Sequence, residues 1–495
     1  MKYLVGIDIG TSGTKSALYD ELGNLVASAD AEYPMYQPAN GWAEEDPRDW
    51  WEAVCKTLSQ ICKEADGEIV GVGLSGQMHS LVLLDENCEV IRPAILWCDQ
   101  RTASQCREIE EKVGIADIVS ISGNRAIPAF TASKLLWVRE NEPENFARVR
   151  HILLAKDYIR YMLTGEFATE RSDASGMQLL DINTGDWSEK ICSALDIDMA
   201  LLPKVYESSA LTGGVTNEAA SVTGLPEKCA VAGGAGDNAA AAIGVAVCTE
   251  GEAFTTIGTS GVVFVPTSRP MTDMDGRFNT FCAAVPGSWH VLGITQSAGL
   301  SLNWFRRNFA EDLSYRELDA ECAKIPVGSE KLIYLPYLMG ERTPILDTEA
   351  RGVFFGLSAI HTKKHLARAV IEGVSYSLYN CLEAIIERGV KINDMALCGG
   401  GGKSPLWQSI LADVYGIKIK TMVSSESAVL GAAILGGVAA GVYPSVVEAC
   451  RNIVKPSSSV DFDLARHEKY MEFYSVYKKL YPALKENFAI LSSVR

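Results

Sequence analysis

Two aspartates stand where a charge is costly unless it does something. Asp8 closes the apolar run Tyr3–Ile9 and is followed almost at once by the turn Gly10-Thr11-Ser12-Gly13. A carboxylate ending such a strand has to be paired or metal-linked, and organising Mg2+, directly or through water, fits it. Asp237 follows Gly233-Gly234-Ala235-Gly236, small residues that let a substrate approach the backbone closely. A carboxylate there can accept a hydroxyl proton, or it can simply cap a helix beginning after Asn238. The pentapeptide Ile-Gly-Thr-Ser-Gly at 9–13 recurs at 257–261. Each copy offers backbone N–H groups and hydroxyls, at Thr11, Ser12, Thr259 and Ser260, and Lys15 stands just past the first. Charge stabilisation at phosphates, a held cation and a base near an attacking hydroxyl are the parts that phosphoryl transfer requires. Taken singly, such turns are more often plain hairpins.

The elements that must hold these residues follow from patterning. Tyr3–Ile9, Lys15–Tyr19 and Leu25–Tyr33 alternate as strands and are joined by short turns, which predicts an antiparallel meander. Asp46 and Pro47 then open a helix whose buried face is Trp51, Val54, Leu58 and Ile61. Ile69–Leu74 and Leu81–Leu84 read as strands. A comparable order recurs with strands at Ala253–Thr256 and Val262–Val265, a long helix near His365–Arg388, a strand near Met395–Cys398 and a helix from Ser404 to Tyr415. The spacing predicts a duplicated fold with a mixed sheet covered by helices in each half, joined near Gly244. Position 256 of the second copy is threonine where the first has Asp8, so the copies are not chemically equivalent. No low-complexity linker intervenes, so the halves should pack together and hinge.

Composition narrows the classes. A chain of 495 residues is too long for one core. A net charge of −17 with no basic stripe argues against nucleic acid as a partner. The opening apolar run is too short for a signal peptide or a span, and no other stretch suits a membrane. Thirteen cysteines without a CxxC pair suggest reduced thiols in a cytoplasm. The sequence is compatible with a homodimer.

Two motifs mislead. Gly71-Val72-Gly73-Leu74-Ser75-Gly76 satisfies GxGxxG, but its glycines lie inside a strand and another strand follows, so a nicotinamide dinucleotide site is not expected. Gly399–Ser404 imitates a Walker A loop, yet its first glycine would have to be Leu397.

Taken together, these stretches resemble the FGGY carbohydrate kinases over nearly the whole chain. Gly352–Glu372 fits the family's second signature throughout, and Phe130–Glu140 represents the first, with Ala129 as a departure. Within the family the residues after Gly76 discriminate substrates. An Arg-Glu pair goes with glycerol, whereas Gln77-Met78-His79 goes with D-xylulose. Gly123-Asn124, Pro128 with Lys134–Trp137, Lys156-Asp157-Tyr158, Leu335-Pro336-Tyr337 and Gly340-Glu341-Arg342-Thr343-Pro344 agree with that subset. Trp97-Cys98-Asp99 departs from the expected Trp-Asn-Asp.

The resemblance implies an α/β fold of two actin-like (ribonuclease H-like) lobes, each a mixed sheet flanked by helices, with a cleft between them. Residues 1–243 would hold the sugar and 244–495 the nucleotide. It implies ATP and Mg2+ as cofactors and D-xylulose or a similar small sugar as substrate. Asp237 would be the general base and Asp8 the acidic residue near the metal. Gln77, Met78, His79, Trp97, Asp99, Asp237 and Asn238 would face the sugar. Thr259, Gly299, Asn303, Gly400, Gly401 and Ser404 would face the nucleotide; Thr11, Ser12 and Lys15 are placed near its phosphates more by the physical argument above than by correspondence. Two rival readings remain: a sister kinase for gluconate, ribulose or another polyol, and a non-catalytic ATP switch like actin or the Hsp70 chaperones.

Overall fold

In the computed structural model, which describes residues 1–423 and 426–494, the chain opens with the expected meander. Strands β1 (Lys2–Ile9), β2 (Gly13–Asp20) and β3 (Leu25–Glu32) pair antiparallel in sequence order. The Asp46 side chain caps helix α1 (Pro47–Ile61) by accepting from the Arg48 amide, and Pro47 spends its missing N–H in the first turn. The buried face of α1 runs through Trp50, Val54, Leu58 and Ile61; Trp51, expected on that face, is only partly buried. The helix carries the chain across to β4 (Glu68–Gly76), parallel to β1, since parallel neighbours need such a crossover.

Residues 77–210 elaborate this half around a second core that includes Leu83, Ile95, Ile109, Leu135 and Ile152. Helix α2 (Thr131–Asn141) packs into it, whereas α3 (Ala155–Thr164) packs into the core of the first sheet; the short α4 (Arg171–Ala174) lies in the same segment. Strands β5 (Leu211–Gly214), β6 (Ala230–Ala232) and β7 (Ala235–Gly236) then complete a seven-stranded sheet. Its order is β5–β6–β4–β1–β2–β3, with β7 also paired to β4.

Helix α5 (Asp237–Gly244) leads into the second half, which repeats the plan. Strands β8 (Glu252–Ile257) and β9 (Gly261–Thr267) are antiparallel across the second pentapeptide, and β10 (Asn279–Cys282) and β11 (Trp289–Thr295) extend that side. Helices α6 (Gly299–Phe309) and α7 (Lys363–Ile386) precede β12 (Asp394–Cys398), which returns parallel to β8 as β4 does to β1. Helix α8 (Pro405–Tyr415), β13 (Lys418–Met422), helix α9 (Ser427–Ala439) and β14 (Pro456–Val460) follow. The second sheet is ordered β10–β11–β9–β8–β12–β13–β14.

Helix α9 comes late in the chain but lies against the first sheet and α5. The glycines of β1 and β4 make room for it. A Cβ added at Gly73 would sit 1.8 Å from the Ala432 carbonyl oxygen, at Gly6 2.0 Å from that of Val429, and at Gly71 2.5 Å from that of Gly436. That contact accounts for the first two glycines of the GxGxxG decoy. They serve strand–helix packing, not a pyrophosphate. Among the described residues no helix is long and apolar enough to cross a membrane. All thirteen cysteines are free thiols, and most are buried.

Candidate active site

The tips of β1, β4 and β7 meet at one place, the carboxyl ends of parallel strands, where open α/β sheets bind ligands. Asp8 lies opposite Ser75 in the β1–β4 register, and Ala235, two residues before Asp237, lies opposite Ser75 from the other side. The Ser75 hydroxyl donates to Asp8 Oδ1 at 2.7 Å. Burial raises the Asp8 carboxyl above its ordinary range; the Ser75 bond opposes that shift.

Asp237 is the first residue of α5. Its Oδ1 accepts from the Asn238 amide at 2.6 Å and from Asn238 Nδ2 at 2.8 Å. Burial, reinforced by the charge of Asp8, pushes its carboxyl up to about 7, while the Asn238 bonds pull the other way. A carboxylate poised there is matched to a proton transfer near neutrality.

Met78 packs against Gly236, the residue before Asp237, and His79 follows it in the chain. A Cβ on Gly236 would come within 2.8 Å of Met78 Cγ, so only glycine before Asp237 admits this methionine. His79 adopts a positive φ of 70°. Its carbonyl is held by Thr131 Oγ1 at 3.1 Å and by Lys134 Nζ at 2.8 Å, both from α2. Its imidazole lies edge-on to Phe130. Burial holds the ring well below its usual pKa, helped by the charges of Lys134 and Arg342, so it is neutral at pH 7. His79 Nδ1 lies 3.0 Å from the Gly176 carbonyl, which can only accept; the proton is therefore on Nδ1, and Nε2 is left as a bare acceptor. A neutral acceptor of this kind suits a hydroxylated ligand.

Behind this surface, Lys156, Asp157, Arg160, Glu170 and Asp173 form a fully buried charge cluster. It reaches the site through Glu170, which accepts from Ser172 Oγ at 3.1 Å, and Ser172 Oγ in turn accepts from the Gly236 amide at 3.2 Å. The sequence motif Lys156-Asp157-Tyr158 is thus a foundation and not a contact surface.

Gln77 and Asp99, expected at the sugar, have protein partners, Gln77 through its amide nitrogen while its Oε1 has none among the described residues. Gln77 Nε2 donates to Glu45 Oε2 at 2.8 Å, and Trp50 Nε1 donates to the same oxygen at 2.8 Å. Burial pushes that carboxyl up to about 7. Asp99 is fully buried, forks with Arg101 at 2.7 and 2.9 Å and accepts from the Ala43 amide at 2.7 Å. It shapes the loop that presents Trp97, whose Nε1 donates to Thr11 Oγ1 at 3.0 Å. Lys15, on the first turn's second strand, pairs with Glu426 at 2.7 Å and is only one-third exposed.

The second pentapeptide opens on a cavity of about 1010 Å³. Thr259, Gly299, Asn303, Gly400, Gly401 and Ser404 line it together with Tyr315, Leu406 and Trp407. The Gly258–Gly261 turn is tied to the start of α6 by Gly299 N to Gly258 O at 2.8 Å and Leu300 N to Thr259 O at 3.1 Å. The first turn is closed by Gly10 N to Gly13 O at 3.1 Å, and its Gly10 carbonyl accepts from the Tyr33 hydroxyl. Thr11, Ser12 and Lys15 do not line the cavity. Glu45 and Tyr33 carry no signal in the sequence, because a lone carboxylate or phenol has no spacing; Lys134 stands in a motif that gives no role for it.

Among the described residues no group of three or more acidic, histidine or cysteine side chains converges to bind a metal. Asp8 offers one carboxylate, of which Ser75 engages Oδ1. Such a site suits an ion carried largely by nucleotide phosphates, which is how Mg2+ is commonly bound.

A duplicated sheet with a glycine turn on each half, a nucleotide-sized cavity on one and a poised carboxylate on the other define a two-lobed α/β phosphotransferase. Comparison with known proteins agrees. Residues 3–244 match the N-terminal domain of the FGGY family of carbohydrate kinases and residues 253–440 its C-terminal domain. The chain belongs to the FGGY family of carbohydrate kinases. It is 36% identical over 498 residues to the xylulose kinase of Bacillus subtilis, with 100% of both chains covered. The ligand-bound xylulose kinase of Lactobacillus acidophilus superposes with a TM-score of 0.94 at 29% identity, over 99% of this chain and 100% of that one. A gluconate kinase of Lactobacillus acidophilus superposes equally well, at 0.94 and 29%, over 99% of both chains.

Proposed function

We propose that this enzyme phosphorylates D-xylulose with ATP, giving D-xylulose 5-phosphate and ADP. The observation that carries the reading is Asp237, poised to titrate near pH 7 beside Asp8, with Met78 packed across Gly236 and the next residue, His79, keeping a neutral acceptor nitrogen. In this scheme Met78, His79, Asp237 and Asn238 hold the ketopentose in the lobe of residues 1–243. The second turn and Gly299, Asn303, Gly400, Gly401 and Ser404 hold ATP in the lobe of residues 244–495. Asp237 takes the proton of the 5-hydroxyl as that oxygen bonds to the γ-phosphorus, and the bond to the bridging oxygen of ADP breaks. Asp8 would hold Mg2+ together with the phosphates. When bound, that ion neutralises charge on the group in transit. Closing the lobes excludes water as a competing acceptor. The free thiols and the absence of a membrane-crossing helix among the described residues suit a cytoplasmic enzyme.

A second reading, a kinase for a sugar acid, is favoured by one feature: the cation of Arg342 lies near enough to His79 to depress its pKa. Coupled ADP-release assays giving kcat/KM for D-xylulose, D-ribulose, L-ribulose, glycerol and gluconate decide between them. Highest efficiency with D-xylulose is expected; a preference for gluconate would overturn the first reading.

A further inference from the structure

The segment Gly340-Glu341-Arg342-Thr343-Pro344 has no part in the scheme above, yet it is held with unusual care. Glu341 is buried, and its carboxylate accepts four bonds: Thr295 Oγ1 at 2.6 Å, Ser377 Oγ at 3.1 Å, the Gln296 amide at 2.9 Å and the Arg342 amide at 2.8 Å. The Thr343 amide donates to Ile294 O at 2.9 Å. Ile294 and Thr295 end β11, and Thr295 lies opposite Gly261, the last residue of the second phosphate turn. Arg342 is therefore mounted on the rim of that turn. From there its charge reaches His79 on the other lobe.

The Arg342 guanidinium is partly buried, and among the described residues it makes no hydrogen bond or ion pair. Glu341 cannot serve as its counter-charge in contact, being occupied by two hydroxyls and two amides. A guanidinium stays ionised, and holding one partly buried without an anion is unfavourable. The geometry thus leaves a vacant anion position between the nucleotide turn and the sugar end. The planar fork of arginine matches phosphate oxygens in a bidentate manner.

We propose that Arg342 grips the phosphoryl group while it passes from nucleotide to sugar. This rests on the kinase reading and on Asp237 as base. As the sugar oxygen bonds to phosphorus, the electron pair of the breaking bond goes to ADP and the hydroxyl proton goes to Asp237. Arg342 exchanges no proton and offsets the negative charge on the equatorial oxygens. A carboxylate on the sugar would present related chemistry, but the mounting of Arg342 on the nucleotide turn, not on the sugar-holding lobe, favours the phosphoryl group.

The test compares full-length wild type, Arg342→Ala, Arg342→Lys and Asp237→Ala in parallel, each checked by thermal melting. Arg342→Ala should lower kcat with D-xylulose on the order of 10²–10³-fold, the scale of losing one transition-state donor, with KM for the sugar within about threefold. Added guanidinium chloride should restore part of that rate, and sodium chloride at equal ionic strength should not. Arg342→Lys should fall between, and it carries the test alone if Arg342→Ala does not fold. Full kcat in the variants, a rise in sugar KM with kcat intact, or loss confined to gluconate would each overturn the proposal. If wild type is active and Asp237→Ala is not while Arg342→Ala keeps full speed, only this inference fails. If wild type phosphorylates no sugar, both fall.

Discussion

Asp8 and Asp237 reach the same corner of the first sheet from opposite sides of Ser75, and the charge of Asp8 helps lift the carboxyl of Asp237 to about 7. Burial supplies the larger part of that lift. One buried carboxylate thus tunes another.

Asp237→Ala should reduce kcat by about 10²–10⁴-fold, the usual contribution of a general base. Circular dichroism should show the fold unchanged, because among the described residues the Asp237 side chain bonds only to Asn238. Turnover near that of wild type in the ADP-release assay would remove Asp237 from its role.

The pH profile should report the same group. The base must be ionised, so kcat/KM should fall as pH drops through about 7, with an apparent pKa near that value. In Asp8→Asn the raising influence of the neighbouring charge is gone, so the acid limb of whatever activity survives should move to lower pH. A limb that stays in place would mean that another group titrates.

Asp237→Asn should be more stable than wild type at pH 8. The folded-state pKa of Asp237 is raised above its unfolded value, so the ionised form costs stability above about pH 7 and costs nothing below the ordinary carboxylate range. The gain in melting temperature should therefore be largest at pH 8 and disappear near pH 4. Equal gains at both values would point to another cause.

His79→Ala removes the bare acceptor nitrogen but leaves the base in place. KM for D-xylulose should rise on the order of tenfold, as expected for one lost hydrogen bond, with KM for ATP unchanged. An altered KM for ATP alone would put His79 in the wrong site.

Two glycine substitutions should separate packing from binding. Gly73→Ala would place a methyl 1.8 Å from the backbone oxygen of Ala432 and should lower the melting temperature sharply. Gly400→Ala meets nothing within 4 Å, yet Gly400 lines the nucleotide cavity. It should leave stability intact and raise KM for ATP.

Much of this protein follows from local chemistry that a linear chain already displays. The meander β1–β3, the helix opening at Asp46-Pro47 and the repeated Ile-Gly-Thr-Ser-Gly turns depend on neighbours in sequence, and they form where the pattern places them. Asp237 stands out in the sequence because four small residues precede it, and the structure places it buried near Asp8 at the head of α5. Tertiary structure decided what depends on distant pairings. Gln77 and Asp99 look like ligand contacts from their motifs, but Glu45 and Arg101 claim them, and a one-dimensional pattern does not show which partner reaches a side chain first. The glycines of β4 have meaning only once α9, more than 350 residues later in the chain, lies against them. Arg342 gains its interest the same way. Glu341 and the end of β11 mount it on one lobe, and only the approach of the lobes brings its charge to His79, because electrostatic reach is set by distance in space and not along the chain.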